Sequence, residues 1–197
     1  MKKFISIILV TLLSGLNFLF AQEKNQIILE GSLGYTSNNS FFHNSMDRER
    51  TSTLSFSHSA GIMLGNRVAL GAFLGYQVYS NEDDRYRKYA YRTHTLDYGI
   101  YTRIHVKLME KLTLYIQPYF SKSEINDNIR GEYYELNIGT STGLLFFFTP
   151  KFSLNLHLND LRFNYASEGK YFDEEHYQDF TIETALNSPK IGVSFYL

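Results

Sequence analysis

The chain has 197 residues, of which 44% are hydrophobic, 16% aromatic and 20% charged, with no Cys, no Trp and a formal charge of −1. The absence of Cys excludes a disulfide scaffold, a Cys-ligated metal site, a catalytic thiol and acylation of an N-terminal Cys. The near-neutral balance argues against a nucleic-acid partner, which would require a basic stripe to neutralise phosphates. With 16 Tyr and 16 Phe the chain is too aromatic to be disordered, and its length predicts one folded domain.

The first element is an address. Lys2 and Lys3 precede an apolar run from Phe4 to Leu13, and Ala21 is a small residue at a suitable cut. Leu19 departs from the small residue usual two positions earlier. The expected division is a cleavable signal peptide over 1–21 and a single domain over 22–197. The alternative, an uncleaved anchor, is disfavoured by the shortness of the run. Beyond it no stretch approaches the roughly 20 apolar residues of a spanning helix, the longest run being Leu144 to Phe148.

From Gln26 onward the apolar period is two, the period of a strand with two unlike faces. The first strand places Ile27, Leu29, Leu33 and Tyr35 opposite Glu30, Ser32, Gly34 and Thr36. The second places Leu54, Phe56, Ala60, Ile62 and Leu64 opposite Ser55, Ser57, Ser59 and Gly61, and ends in a turn at Gly65-Asn66. The third places Val68, Leu70, Ala72, Leu74, Tyr76 and Val78 opposite Gly71, Phe73, Gly75 and Gln77. In the fourth, Leu96, Tyr98, Ile100, Ile104 and Val106 oppose Asp97, Gly99, Tyr101, Arg103 and His105. The fifth sets Leu112, Leu114, Ile116 and Phe120 against Thr113, Tyr115, Gln117 and Tyr119, and the sixth sets Tyr134, Leu136, Ile138, Leu144 and Phe146 against Glu135, Asn137, Gly139, Ser141 and Gly143. The seventh sets Phe152, Leu154, Leu156 and Leu158 against Ser153, Asn155 and His157, and the eighth carries Ile191, Val193, Phe195 and Leu197. Pro118 cannot donate to a ladder, so a bulge or break is expected there. Parity slips between Leu158 and Leu161, and again between Leu186 and Ile191, as bulges produce.

Polar connections at Asn38–Thr51, Ser80–Arg92, Glu124–Glu132 and Ala166–Asp179 alternate with short ones near Gly65, Met109 and Pro150. Long loops therefore gather at one end of the sheet, and short turns with both termini at the other, the asymmetry of outer-membrane barrels. A soluble barrel with an apolar interior is the competing arrangement. Eight strands enclose room for little more than one filling of side chains, and the apolar face carries too many large ones to fit inside. The aromatics add a second argument. Tyr35, Phe56, Tyr76, Tyr98, Phe120 and Tyr134 share the loop-side part of the apolar face, and Phe146, Phe152 and Phe195 the turn side, in the manner of aromatic girdles at two membrane interfaces. The predicted fold is an all-β, eight-stranded antiparallel up-and-down transmembrane barrel with a polar interior.

The signal, the eight strands and the ending Lys190-Ile191-Gly192-Val193-Ser194-Phe195-Tyr196-Leu197 resemble the small OmpA/OmpX-type outer-membrane barrels. In that resemblance Lys190, Gly192, Phe195 and Leu197 correspond to the family's C-terminal insertion signal, with Leu197 in place of the commoner Phe. It implies location in the cell outer membrane with periplasmic termini, handling by the barrel assembly machinery, contact with outer-membrane lipid and lipopolysaccharide, and a monomeric state. Family members include adhesins, anchors, small pores and a few lipid-modifying enzymes, so the fold leaves function open.

The inward charges are the most informative candidates. Glu30, Asp97, Arg103 and Glu135, with Tyr101 and Tyr115, would share a narrow lumen where unpaired charge is costly. Arg103 is expected to pair with at least one acid, so that the network occludes the barrel, with a narrow pore as the alternative. Surface interaction through four exposed loops is then the expected role, with an unidentified surface ligand. A lipid A acyl hydrolase would need a Ser, a His and an acid to converge on the wall. The candidates are His43-Asn44-Ser45, His58-Ser59 and His94-Thr95, and adjacent residues on a strand face opposite ways. No catalytic residue is assigned. Asp173, Glu174, Glu175 and His176 could hold a hard cation, but such runs are ordinarily solvated loops, as are Asp47–Arg50 and Asp83–Lys88. No metal and no cofactor is expected.

Overall fold

The computed structural model describes residues 25–41, 48–83, 91–128, 131–167, 176–184 and 190–197. They form nine strand segments: β1 (Ile27–Phe41), β2 (Arg48–Met63), β3 (Val68–Asp83), β4 (Tyr91–Lys107), β5 (Leu112–Asp127), β6 (Gly131–Thr149), β7 (Phe152–Ser167), β8 (His176–Thr184) and β9 (Lys190–Tyr196). Sequential neighbours from β1 to β7 pair antiparallel. β8 and β9 both pair with β7, at Asn159–Ser167 and Phe152–His157 respectively, so together they make the eighth stave. β9 returns to β1, from Ile28↔Tyr196 to Gly34↔Lys190, and closes the ring. The chain is therefore an eight-stranded, closed antiparallel barrel.

Closure removes the sheet edge, and with it the unpaired backbone groups that an apolar solvent cannot satisfy. The ladder also outlasts the apolar pattern. Strand pairing continues to Phe41↔Arg48, through the segment Asn38–Thr51 expected as loop, and β3 likewise runs to Asp83. Backbone pairing does not require apolar side chains, so period-two hydrophobicity marks only the part of each strand with a greasy wall. The long connections are correspondingly shorter than the sequence pattern suggests.

Pro118 breaks one ladder and spares the other. Pairing of β4 with β5 lapses between Tyr101↔Tyr119 and Ile104↔Ile116 without changing register, so the disturbance is a gap and not a bulge. On the other side Pro118↔Thr140 stays in line. The slip expected after Leu158 is a bulge: Gly143 faces His157 while Thr142 faces Asn159, leaving Leu158 unmatched. The slip expected at Leu186 falls outside the described residues.

Burial is inverted relative to a water-soluble domain. Ile138 is 62% exposed, Ile100 59% and Leu33 57%, whereas Arg103 is 2% exposed and Asn137 and Ser194 are fully buried. The six loop-side aromatics Tyr35, Phe56, Tyr76, Tyr98, Phe120 and Tyr134 are all exposed on the outer wall. Near the turns Phe146, Phe148, Phe152 and Phe195 form a continuous ring ladder, with centroids 5.1, 5.7 and 5.2 Å apart.

Candidate functional site

The polar interior is layered. At the turn end Ile28, Met63, Ala69 and Tyr196, all fully buried, pack together with Phe147 against them. Each sits at an inward position beside a turn or terminus, so this small apolar cluster floors the barrel. Its rings meet at 5.3 Å between Phe147 and Tyr196.

Above the floor lies Arg103. Its guanidinium forks onto Glu30, with Nη1 donating to Oε2 at 2.6 Å and Nη2 to Oε1 at 3.1 Å, while Nε donates to Gln117 Oε1 at 2.7 Å. Two parallel donors on one carboxylate fix both partners in orientation, as only a planar guanidinium can. Ser194 Oγ adds a donor to Glu30 Oε2 at 2.8 Å and accepts from Asn155 Nδ2 at 2.7 Å. The rings of Tyr115 and Tyr101 flank the cation at 4.6 and 5.3 Å from their centroids. Five staves thus converge on one ion pair: β1, β4, β5, β7 and β9.

Three inward tyrosines lie flat over the wall because each has a glycine as its direct partner on the neighbouring strand. A Cβ on Gly71 would lie 2.5 Å from Tyr101 Oη and 2.5 Å from Ala60 O, and one on Gly139 would lie 2.5 Å from Tyr119 Oη. Gly143 is overlain by Tyr115 in the same way. Here glycine is required by the close approach of a ring across neighbouring strands.

The third layer is a cavity of about 320 Å³ towards the loop end. Its wall includes a second ion pair, in which Arg162 Nη2 donates to Asp160 Oδ2 at 2.9 Å and Tyr119 Oη donates to both Asp160 oxygens at 2.9 and 3.1 Å. Asp97 accepts from Ser123 Oγ at 3.1 Å, and the buried Asn137 ties Ser123 and Ser121 together at 2.8 and 3.3 Å. Glu135 lines the same cavity. At the rim Tyr91 donates to Asp127.

Of the six lumen residues singled out by sequence, Glu30, Arg103, Tyr101 and Tyr115 are brought together, and Asp97 and Glu135 line the cavity above. The Asp160–Arg162 pair escapes a strict alternation, because the bulge at Leu158 moves these residues from the expected outer face to the inner one. Among the enzyme candidates, His58 lies on the outer wall, edge-on to Phe56 with centroids 4.3 Å apart, while Ser59 faces inward and lines the cavity. They do not form a nucleophile and base. His94 shares a 2.7 Å hydrogen bond with Tyr76 Oη on the outer wall, and Thr95 faces the cavity. His43-Asn44-Ser45 and Asp173–Glu175 lie outside the described residues. At the C-terminal end, Gly192 packs against Gly31 and Ser32, and Phe195 and Leu197 are exposed.

No protein-family model and no curated protein matches the sequence. Among solved structures the chain is similar to Neisserial surface protein A, at 16% identity over 87% of this chain and 97% of that one, with a TM-score of 0.48. It is similar to Ail, the attachment invasion locus protein of Yersinia pestis, at 12% identity over 89% and 99%, with a TM-score of 0.45. It is also similar to the outer membrane protein AlkL, at 10% identity over 91% and 93%, with a TM-score of 0.46. The architecture stands on the chain's own ladder and burial, independently of these likenesses: an eight-stranded closed barrel with a polar interior.

Proposed function

We propose that the chain spans an outer membrane as an occluded barrel and acts through its exterior, as a structural or surface-interaction protein and not as a channel. The observation that carries this reading is the inverted burial: a continuous apolar wall outside, and an arginine, its carboxylate partner and a set of amides and hydroxyls inside. Such a wall in water would be a very large exposed apolar patch, whereas in lipid it is the favourable surface. Two successive blocks, the Arg103–Glu30 layer and the apolar floor beneath it, support occlusion over the narrow-pore reading.

In this reading residues 1–21 direct export and are removed, and the ending with Lys190, Gly192, Phe195 and Leu197 is read by the barrel assembly machinery. The termini face the periplasm, the loop end faces outward, and surrounding lipid and lipopolysaccharide are the constant partners. The test combines fractionation with electrical recording. The protein is expected in the detergent-soluble outer-membrane fraction, with electrophoretic mobility that changes on boiling, and without steady unit conductance in planar bilayers. Recovery as soluble periplasmic material would overturn the membrane reading, and reproducible conductance from pure protein would overturn occlusion.

A further inference from the structure

We propose that the outer wall at the loop end carries a binding site for the phosphorylated sugar headgroup of a membrane lipid, formed by Arg92, His94, Ser80, Asn126 and Asn128. The inference rests on the membrane-spanning reading above and assigns a ligand to one place on the wall.

These five residues belong to three adjacent strands and the turn that follows β5. Ser80 pairs with Arg92 and Val78 with His94 across β3 and β4, and His94 pairs with Asn126 across β4 and β5. Asn128 is fastened to Arg92 through the backbone: Arg92 N donates to Asn128 Oδ1 at 2.9 Å, and Asn128 N donates to Arg92 O at 3.3 Å. Together with Asn81 and Tyr91 they line a second cavity, of about 300 Å³. Period two places Ser80, Arg92, His94 and Asn126 on the same face as the exposed Tyr76 and Tyr98, with Asn81 and Tyr91 on the alternate face at the border, so the cavity lies at the rim of the wall and presents Arg92, His94 and Asn126 on the lipid-facing side.

The chemistry of the lining selects the ligand. An exposed guanidinium offers the planar fork that matches a phosphate. The Tyr76 hydroxyl engages His94 Nδ1 at 2.7 Å, which orients the ring and commits one nitrogen, so that a ligand meets the other. Two side-chain amides and a hydroxyl supply the mixed donors and acceptors that sugar hydroxyls need. Glu132 Oε1, which accepts from Asn126 Nδ2 at 3.3 Å, brings a carboxylate to the border. A bare anion would meet that carboxylate as well as Arg92, whereas a headgroup with hydroxyls beside its phosphate can satisfy both.

Position then fixes the source. Directly below on the same strands lie Tyr76, Leu74, Leu96, Tyr98 and Ile100, all exposed. Lys122, with its ammonium 5.2 Å from the Tyr134 ring and 5.9 Å from that of Tyr98, marks the level at which this wall turns polar. A molecule that fills the cavity and covers the wall beneath must join a polar head to hydrocarbon chains. That description fits an outer-leaflet glycolipid and no soluble sugar phosphate.

The test uses the refolded barrel in neutral detergent, with bound lipid counted by native mass spectrometry. Lipid A is offered in one arm, phosphatidylcholine in a second, and glucosamine 1-phosphate or inorganic phosphate in a third. Retention of lipid A alone is expected, with a loss of apparent affinity of at least about tenfold in the Arg92→Ala/His94→Ala double variant, the scale of a lost charge-assisted hydrogen bond. Arg92→Glu provides a second variant with the same expectation, and Lys151→Ala, at the opposite end, should leave retention unchanged. Equal retention by wild type and both Arg92 variants would overturn the site, and equal binding of inorganic phosphate would overturn the lipid. Heat-modifiable mobility and insertion into vesicles are read on the same samples. A barrel that inserts but shows no lipid preference refutes this inference alone, whereas failure of the wild type to insert refutes the reading beneath it.

Discussion

Replacing Glu30 by Gln preserves shape and most hydrogen-bonding capacity while removing the one charge that forks onto Arg103. The guanidinium is 2% exposed and its partner 15%, so in the variant a cation remains buried among Tyr101, Tyr115 and Gln117 with no carboxylate against it. Breaking a buried pair by removing one partner costs about 3–5 kcal/mol, because the remaining charge keeps its desolvation penalty. The Tyr rings offset part of this, since a desolvated cation–π contact contributes about 2 kcal/mol, so a net loss of roughly 1–3 kcal/mol is expected. The assay is urea unfolding of the barrel in phospholipid vesicles, followed by the gel-mobility difference between folded and unfolded forms, since the chain has no Trp to report by fluorescence. Removing both partners as Glu30→Leu with Arg103→Met should recover most of the loss, because no charge is then stranded. The exposed pair Lys122–Glu124, at 3.0 Å on the outer wall, is the internal control: Glu124→Gln should leave the midpoint unchanged. A Glu30→Gln midpoint indistinguishable from that of Glu124→Gln would refute the claim that the buried Arg103–Glu30 fork holds the interior together.

Three further outcomes follow from the same geometry. Gly71→Ala should destabilise the folded barrel by about 1–3 kcal/mol in the same urea assay, because its Cβ would meet Ala60 O and Tyr101 Oη at 2.5 Å, while Gly75→Ala, whose nearest neighbour is Asp97 Cβ at 3.7 Å, should be silent. Ile100→Arg, on a lipid-facing position that is 59% exposed, should lower stability in vesicles by about 2–4 kcal/mol if that position lies near the bilayer midplane. Its cost should fall sharply in detergent, where the head can reach water. In planar bilayers Arg103→Ala alone should remain non-conducting because the floor of Ile28, Met63, Ala69 and Tyr196 still closes the turn end, whereas Arg103→Ala combined with Tyr196→Ala should conduct. Open channels in the single variant would show that the floor is not a barrier.

The alternation of apolar and polar residues was enough to read which way almost every side chain points, because in a strand the face follows from parity alone. It could not report where strands end. Residues such as Ser37, Asn38 and Ser52 carry no apolar signal, yet they stay in the ladder through backbone hydrogen bonds. Nor could it report which inward acid Arg103 selects. Glu30 precedes it by 73 positions, and only closure of β1 onto β9, with β4 opposite, sets the two face to face. Asp160 and Arg162 illustrate a third limit, since a single unmatched residue at Leu158 inverts parity for everything after it. The floor was hidden for a different reason: Ile28, Met63, Ala69 and Tyr196 are single apolar residues at inward positions of four strands, and become a cluster only when the barrel brings their ends together.

The size of the barrel is what joins these details to function. Eight staves leave an interior about one side chain deep, and this chain occupies part of it by laying Tyr101, Tyr115 and Tyr119 across Gly71, Gly143 and Gly139, large against small on neighbouring strands. Each ring lies where a Cβ would have been, so this packing locks neighbouring staves in register while the Arg103–Glu30 fork and the Asp160–Arg162 pair neutralise two of the carboxylates the barrel encloses. In the occluded reading proposed above, these layers close the barrel in series. Opening a path through it would require moving rings out of glycine notches, uncovering a buried guanidinium and parting the floor, three costs that must be met together. Specificity in such a molecule is cheaper to place outside, where the strands run on above the apolar band with polar side chains and no core to disturb. In the proposed occluded reading, the extension of β3, β4 and β5 beyond the exposed tyrosines, carrying Ser80, Arg92, His94 and Asn126, is therefore the part of the fold available for recognition.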